Sequence, residues 1–142
     1  MLSNGIKFLH LSLQASAMEE LIIKGTDYSP EVIFSPKQQK FMISGWSRPE
    51  SPVKFYEPLF KWVDEEGPKH LNSATINFQI EYFNTPSAKM ISHLLDKLDK
   101  LYKSGVKMSI VWHYDDLETK EEFEYEFAQG LSFPIKFVEA EQ

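Results

Sequence analysis

A chain of 142 residues is most naturally one domain, long enough to bury a core without metals or crosslinks. It holds no cysteine, which removes disulfides, thiol catalysis, thiolate zinc sites and cysteine-ligated iron–sulfur clusters. Its net charge of −6 and pI near 5.2 lack the basic footprint that nucleic acid or an anionic membrane surface requires, so a protein partner is the expected one.

The first segment, Met1 to Ala17, resembles a signal peptide in outline. Lys7 precedes the apolar stretch Phe8-Leu9-His10-Leu11-Ser12-Leu13, and Ala15-Ser16-Ala17 has the small-residue form of a cleavage site. The apolar part is at the short end of the usual ~7 to 15 residues and contains a histidine. It reads instead as an N-terminal extension over 1–17, with Met18 as an alternative start and the domain proper over 18–142. No apolar run approaches the roughly 20 residues needed to cross a bilayer, and a cytoplasmic location without membrane insertion is expected.

Glu20 to Thr26 is β-branched and ends at glycine, which predicts a first strand. After the turn Asp27-Tyr28-Ser29-Pro30, short strands are predicted over Glu31 to Phe34 and Lys40 to Ser44. Their short connection makes them an antiparallel hairpin. Gly45 to Pro52 reads as a loop, and Val53 to Glu65 as a helix whose interior Pro58 conflicts with helical hydrogen bonding. Gly67-Pro68 closes it.

Ser73 to Phe83 alternates cleanly, with Ile76, Phe78, Ile80 and Tyr82 on one side and Thr75, Asn77, Gln79 and Glu81 on the other. Val106 to Tyr114 does the same. Alternation means that one sheet face is buried and the other partly wet, which places the helices mainly on one face. Between these strands Pro86 to Lys103 carries Met90, Ile91, Leu94, Leu95, Leu98 and Leu101 at helical spacing, and Gly105 stops it. Strand, helix and strand of this length form a right-handed parallel crossover. A third helix over about Thr119 to Gln129 and a final strand or docked tail over Ser132 to Val138 complete the chain.

The functional stretch is Tyr82-Phe83-Asn84-Thr85-Pro86-Ser87-Ala88-Lys89. Proline suits the first helical position, which makes Thr85 the expected N-cap, its oxygen facing the free N–H groups of the helix mouth. The same place stabilises a phosphate on Thr85 or, less favourably, on Ser87. Judged on spacing alone, Thr85 is a plain cap or a modified switch residue, and caps are the commoner of the two. Trp46 is likewise a loop anchor or a binding residue.

His10, His70, His93 and His113 are scattered, with no pair at metal-ligand spacing, and no metal or cofactor is expected. Asp115, Asp116 and Glu118 read as a helix cap and its acidic first turn, or as part of an acidic docking surface for a basic partner. There is no glycine-rich phosphate loop, no nucleophile elbow and no paired-carboxylate frame. No catalytic residue is expected.

Several motifs in order resemble the SiaC family of bacterial regulatory phosphoproteins. They are Gly25-Thr26 with Ser29-Pro30-Glu31-Val32-x-Phe34; Gly45-x-Ser47-x-Pro49-Glu50 with Phe55-Tyr56-x-Pro58-Leu59-x-x-Trp62; and Tyr82-Phe83-Asn84-Thr85-x-Ser87-x-Lys89 with Gly105-Val106 and Trp112-x-Tyr114. The likeness runs from about Glu20 to Phe133. It implies a single α/β domain with a STAS-like mixed sheet, similar to anti-sigma-factor antagonists, acting as a non-catalytic regulator. In that family the unmodified protein activates a diguanylate cyclase in cyclic-di-GMP signalling, a dedicated kinase phosphorylates a threonine, and a PP2C-type phosphatase reverses it. Carried onto this sequence, the modified residue is Thr85, with Asn84, Pro86, Ser87, Lys89, Trp46 and Ser47 as partner-contact residues. Pro86 is a departure, since the family usually has serine there. The alternatives are a constitutive interaction scaffold using the polar sheet face and a small-ligand-binding STAS-like sensor.

Overall fold

The computed structural model describes residues 19–141. The N-terminal extension expected over 1–17, with its signal-like segment and the alternative start at Met18, lies outside the described residues.

Six strands form one mixed sheet in the order of the chain: β1 (Leu21–Ile23), β2 (Glu31–Ser35), β3 (Lys40–Ser47), β4 (Thr75–Phe83), β5 (Ser109–Tyr114) and β6 (Ile135–Glu139). β1, β2 and β3 pair antiparallel, as their short connections require, whereas β3 through β6 pair parallel. The parallel connections carry α1 (Pro52–Glu65) with the short α2 (Gly67–His70), then α3 (Thr85–Lys103), then α4 (Leu117–Phe123). α4 runs on into a π-helical turn, Glu124–Ala128. Because the strand order never doubles back and parallel crossovers are right-handed, all three connections fall on the same face. The expected one-sided α/β architecture is what forms.

The core lies between that face and the helices. Val32, Ile43, Ile76, Phe78, Ile80, Ile110 and Trp112 from the strands meet Tyr56, Leu59, Trp62, Ile91, Leu94, Leu95 and Leu98 from α1 and α3, all of them buried. On the other face Thr75 and Glu81 are exposed and Asn77 and Gln79 half-buried. The Asn77 amide oxygen there lies 2.9 Å from His113 Nε2.

Several boundaries differ from the sequence expectation, each for a local reason. Pro58 does not restart α1, which is continuous over 14 residues. Pro58 and Lys54 are both exposed, so the Lys54 carbonyl that loses its helical donor faces water. α1 ends at Glu65, as expected ahead of Gly67-Pro68, and that pair then opens one more helical turn. The closing segment is a true strand, with Phe137 opposite Trp112 in parallel register.

The largest difference lies at the end of β3, where a loop was expected. β3 continues through Gly45, Trp46 and Ser47, and Gly45 takes φ +110°, a left-handed conformation that a side chain would resist. Gly45 pairs with Ile80 but Trp46 pairs with Tyr82, so Glu81 is an extra residue bulged out of β4. The bulge reverses the alternation beyond it. Tyr82, expected in the core, turns to the open face and is 43% exposed, while Phe83 turns inward against Phe127 with ring centroids 5.2 Å apart.

Asp116 caps α4 through its Oδ1, which accepts from the Thr119 amide at 2.8 Å. That hydrogen bond, ahead of the smaller opposing effect of desolvation, holds the carboxyl below its usual value near 3.8. A depressed folded pKa stabilises above the unfolded value and is lost as pH falls through the folded one. Exchange protection factors over the first turn of α4 should therefore fall as the pH is lowered through the carboxylate range. Those at the mouth of α3, where the cap does not titrate, should hold; a parallel decline at both ends would contradict this.

Candidate functional site

The site is built where β3 and β4 end and α3 begins. Asn84 leaves β4 in extended conformation, φ −88° and ψ 175°, and its side-chain oxygen accepts from the Ser87 amide at 3.0 Å. Asn84 is therefore the N-cap of α3, not Thr85. The helix starts one residue earlier than the proline suggests, and Pro86, one place further in, still removes only an N–H that would have had no helical partner. Asparagine also ranks above threonine as a cap. Thr85 becomes the first helical residue, exposed, and its hydroxyl takes no part in the hydrogen bonds that close this helix mouth.

Beneath it a chain of buried hydroxyls locks three elements together. Ser47 at the end of β3 donates to Ser87 in α3 at 2.8 Å, and the Tyr56 hydroxyl of α1 lies 2.6 Å from the Ser47 oxygen. With the Ser47 proton committed to Ser87, Tyr56 is the donor to Ser47. The backbone closes the same junction, with the Asn84 amide donating to the Ser47 carbonyl at 3.1 Å. Ser47 and Ser87, both expected at the contact surface, have no accessible area. They hold the helix mouth from below, and phosphate on Ser87 would have no room to form.

Burial pushes the Tyr56 phenol up to about 12 from its ordinary value of 10, with the Ser47 hydrogen bond acting weakly the other way. The raised value means that the neutral phenol stabilises the fold fully below pH 10, with the contribution lost as pH rises from 10 towards 12. In a titration followed by phenolate absorbance, Tyr56 should ionise last of the six tyrosines, together with the loss of folded signal. Replacement by Phe should remove that last step; its persistence would show that another phenol is the buried one.

Thr85 opens onto a cleft of about 470 Å³. One wall is α3, with Asn84, Thr85, Lys89 and Ser92; the other is α4 and its π turn, with Glu122 and Glu126; Phe83 and Phe127 are at the base. Lys89 is exposed, one turn from Thr85, and belongs to none of the ion pairs among the described residues. The cleft thus offers the N-terminal end of α3 and one cation on one side and two carboxylates on the other.

Trp46 lies on the strand side of this junction, not in a loop. It is 43% exposed and packs on Tyr82 with ring centroids 4.9 Å apart. Of the expected contact residues, Pro86, Lys89 and Trp46 reach the surface, Asn84 is half-buried and occupied as the cap, and Ser47 and Ser87 are interior. From the sequence Tyr82 falls in the functional stretch but on the core side, Glu122 and Glu126 belong only to an acidic surface, and Tyr56 has no part in the site. Only Gly45 before the strand end hinted at the bulge that exposes Tyr82. Among the described residues no group of three or more His, Asp or Glu side chains is placed to hold a metal ion, and no helix is long and apolar enough to cross a membrane.

Residues 23–140 match the family described as SiaC family regulatory phosphoprotein. An uncharacterised protein of Pseudomonas aeruginosa strain UCBPP-PA14 is 28% identical over 119 residues, covering 83% of this chain and 94% of its own length. The crystal structure of apo-SiaC from Pseudomonas aeruginosa superposes with a TM-score of 0.75 at 26% identity, over 84% of this chain and 98% of that one. A second similar structure, at TM-score 0.74 and 27% identity over 84% of this chain and 99% of that one, comes from the complex of the Pseudomonas aeruginosa diguanylate cyclase SiaD with its activator SiaC. With the matched family spanning nearly all of the described sheet and helices, the chain belongs to the SiaC family of regulatory phosphoproteins.

Proposed function

We propose that this protein is a non-catalytic cytoplasmic regulator whose unmodified form binds and activates a diguanylate cyclase. Phosphorylation of Thr85 by a Ser/Thr kinase releases that partner, and a PP2C-type phosphatase restores binding. The observation that carries the reading is the exposed Thr85 hydroxyl, left uncommitted because Asn84 takes the cap, at the mouth of a 19-residue helix. The activator role of SiaC in the SiaD complex supports the choice of partner class.

The electrostatics give the switch its direction. A phosphoryl group adds about −1.5 to −2 charge at pH 7. The N-terminal dipole of α3 and Lys89 favour that charge, while Glu122 and Glu126 across the cleft oppose it and direct the phosphate outward, towards a docked partner. A partner seated over the helix mouth then meets bulk and negative charge where it had met a neutral hydroxyl.

Incubation with the cognate kinase and ATP, followed by peptide mapping in the mass spectrometer, should place phosphate on Thr85 and leave Ser87 unmodified. Modification confined to another residue by an active kinase would overturn the assignment.

A further inference from the structure

Two exposed aromatic rings lie against one guanidinium, and a third packs on one of them. Arg48 lies over the Tyr28 ring at 4.8 Å and over the Trp46 ring at 5.4 Å, and Trp46 packs on Tyr82. Tyr28 is 60% exposed and the other two rings 43% each. The shelf is fixed from beneath: the Arg48 amide donates to the Tyr28 carbonyl at 2.7 Å, and the Thr26 hydroxyl accepts from the Tyr28 and Ser29 amides at 3.1 and 3.0 Å. A surface already held in place loses little freedom when something docks on it, and Trp, Tyr and Arg are the residue types that dominate docking energies.

The Arg48 side chain belongs to no ion pair among the described residues. Exposed beside the two rings, it keeps a planar set of N–H donors that matches a carboxylate in bidentate fashion. A basic or purely apolar partner would cover that charge and leave it unpaired. We propose that the shelf docks an acidic segment of the partner protein, with a carboxylate against Arg48 and an aliphatic or aromatic side chain on Trp46 and Tyr82. The inference rests on the proposed function in taking that partner to be the one Thr85 controls. It also supplies a reason for the switch: Tyr82 is three residues before Thr85 and the Asn84 to Ser47 hydrogen bond joins the two strand ends, so phosphate on Thr85 adds negative charge to the same end of the sheet that receives the carboxylate-bearing segment.

The test follows the Trp46 indole and Arg48 side-chain N–H signals by NMR during titration with a capped peptide containing Leu-Glu-Asp-Phe, and with its Leu-Gln-Asn-Phe isostere. The acidic peptide should move both signals and bind roughly tenfold more tightly than the isostere. Arg48→Gln, checked for an unchanged fold by its amide spectrum, should bring the acidic peptide down to the isostere and leave the isostere unaffected. Equal affinities, or no movement of shelf signals, would overturn the proposal. So would shelf signals that respond to protein concentration alone, since the occupant would then be a second copy of the chain. An acidic peptide that binds wild type and Thr85→Glu equally well leaves the shelf standing and counts against the switch. A phosphorylation-sensitive cyclase that binds Arg48→Gln as well as wild type does the reverse.

Discussion

Thr85→Glu is expected to weaken binding to the diguanylate cyclase partner roughly tenfold or more, while Thr85→Val keeps affinity within about threefold. The difference follows from what each side chain presents at the helix mouth. Valine preserves the volume of threonine and removes only a hydroxyl that makes no hydrogen bond at this helix mouth. Glutamate sets a negative charge at the same point, about half of what phosphate adds, so it should fall short of full phosphorylation. Neither substitution touches the Asn84 cap, so both should unfold within about 0.5 kcal/mol of wild type, as surface substitutions usually do. Had Thr85 been the cap, valine would have cost about 1 kcal/mol. Pull-down together with denaturant unfolding reads both quantities, and Thr85→Glu binding as tightly as wild type would remove charge as the cause.

Trp112→Ala should be the most damaging single change to the fold, at about 3 to 5 kcal/mol. Trp112 is wholly buried on β5; it stacks on Phe78 with centroids 5.3 Å apart and planes 10° from parallel, and on its other side meets Phe123 and Phe127. With Phe83 against Phe127 and Phe137 against Phe123, it pins α4 and its π turn to the sheet. Losing it leaves a void under the wall that carries Glu122 and Glu126. Trp112→Phe should cost much less, under about 2 kcal/mol, because the indole N–H has no partner in the described structure and its removal relieves that burden. Chemical denaturation of the two variants checks the order; equal losses would mean that packing, not the orphan donor, decides the site.

The parts of the fold that sequence reasoning captured are those in which one period dominates. Ile76, Phe78 and Ile80 alternate without interruption, and Ile91, Leu94, Leu95 and Leu98 recur at helical spacing, so β4 and α3 were placed within about two residues. The errors fall where two local rules compete. Thr85-Pro86 fits the cap-then-proline pattern, but Asn84 before it fits better and wins. Pro58 violates a helix rule whose penalty disappears once the freed carbonyl faces water. Gly45 looked like a loop residue because its role, a left-handed turn of the strand opposite the Glu81 bulge, depends on pairing with a strand some 35 residues away. Ser47 and Ser87 read as surface hydroxyls for the same reason. Their burial is set by the meeting of β3, α1 and α3, which no local pattern encodes. Tyr28, Arg48, Trp46 and Tyr82 likewise form a shelf only after the sheet has assembled.

The most direct measurement is a calorimetric titration of the partner diguanylate cyclase with two preparations of the full chain, one phosphorylated to completion on Thr85 and one treated with phosphatase. Tight binding and stimulated cyclic-di-GMP synthesis are expected of the dephosphorylated protein, with affinity lowered about a hundredfold or more by the phosphate, a difference of about 2.7 kcal/mol. Equal affinity of the two preparations would contradict the phosphorylation switch.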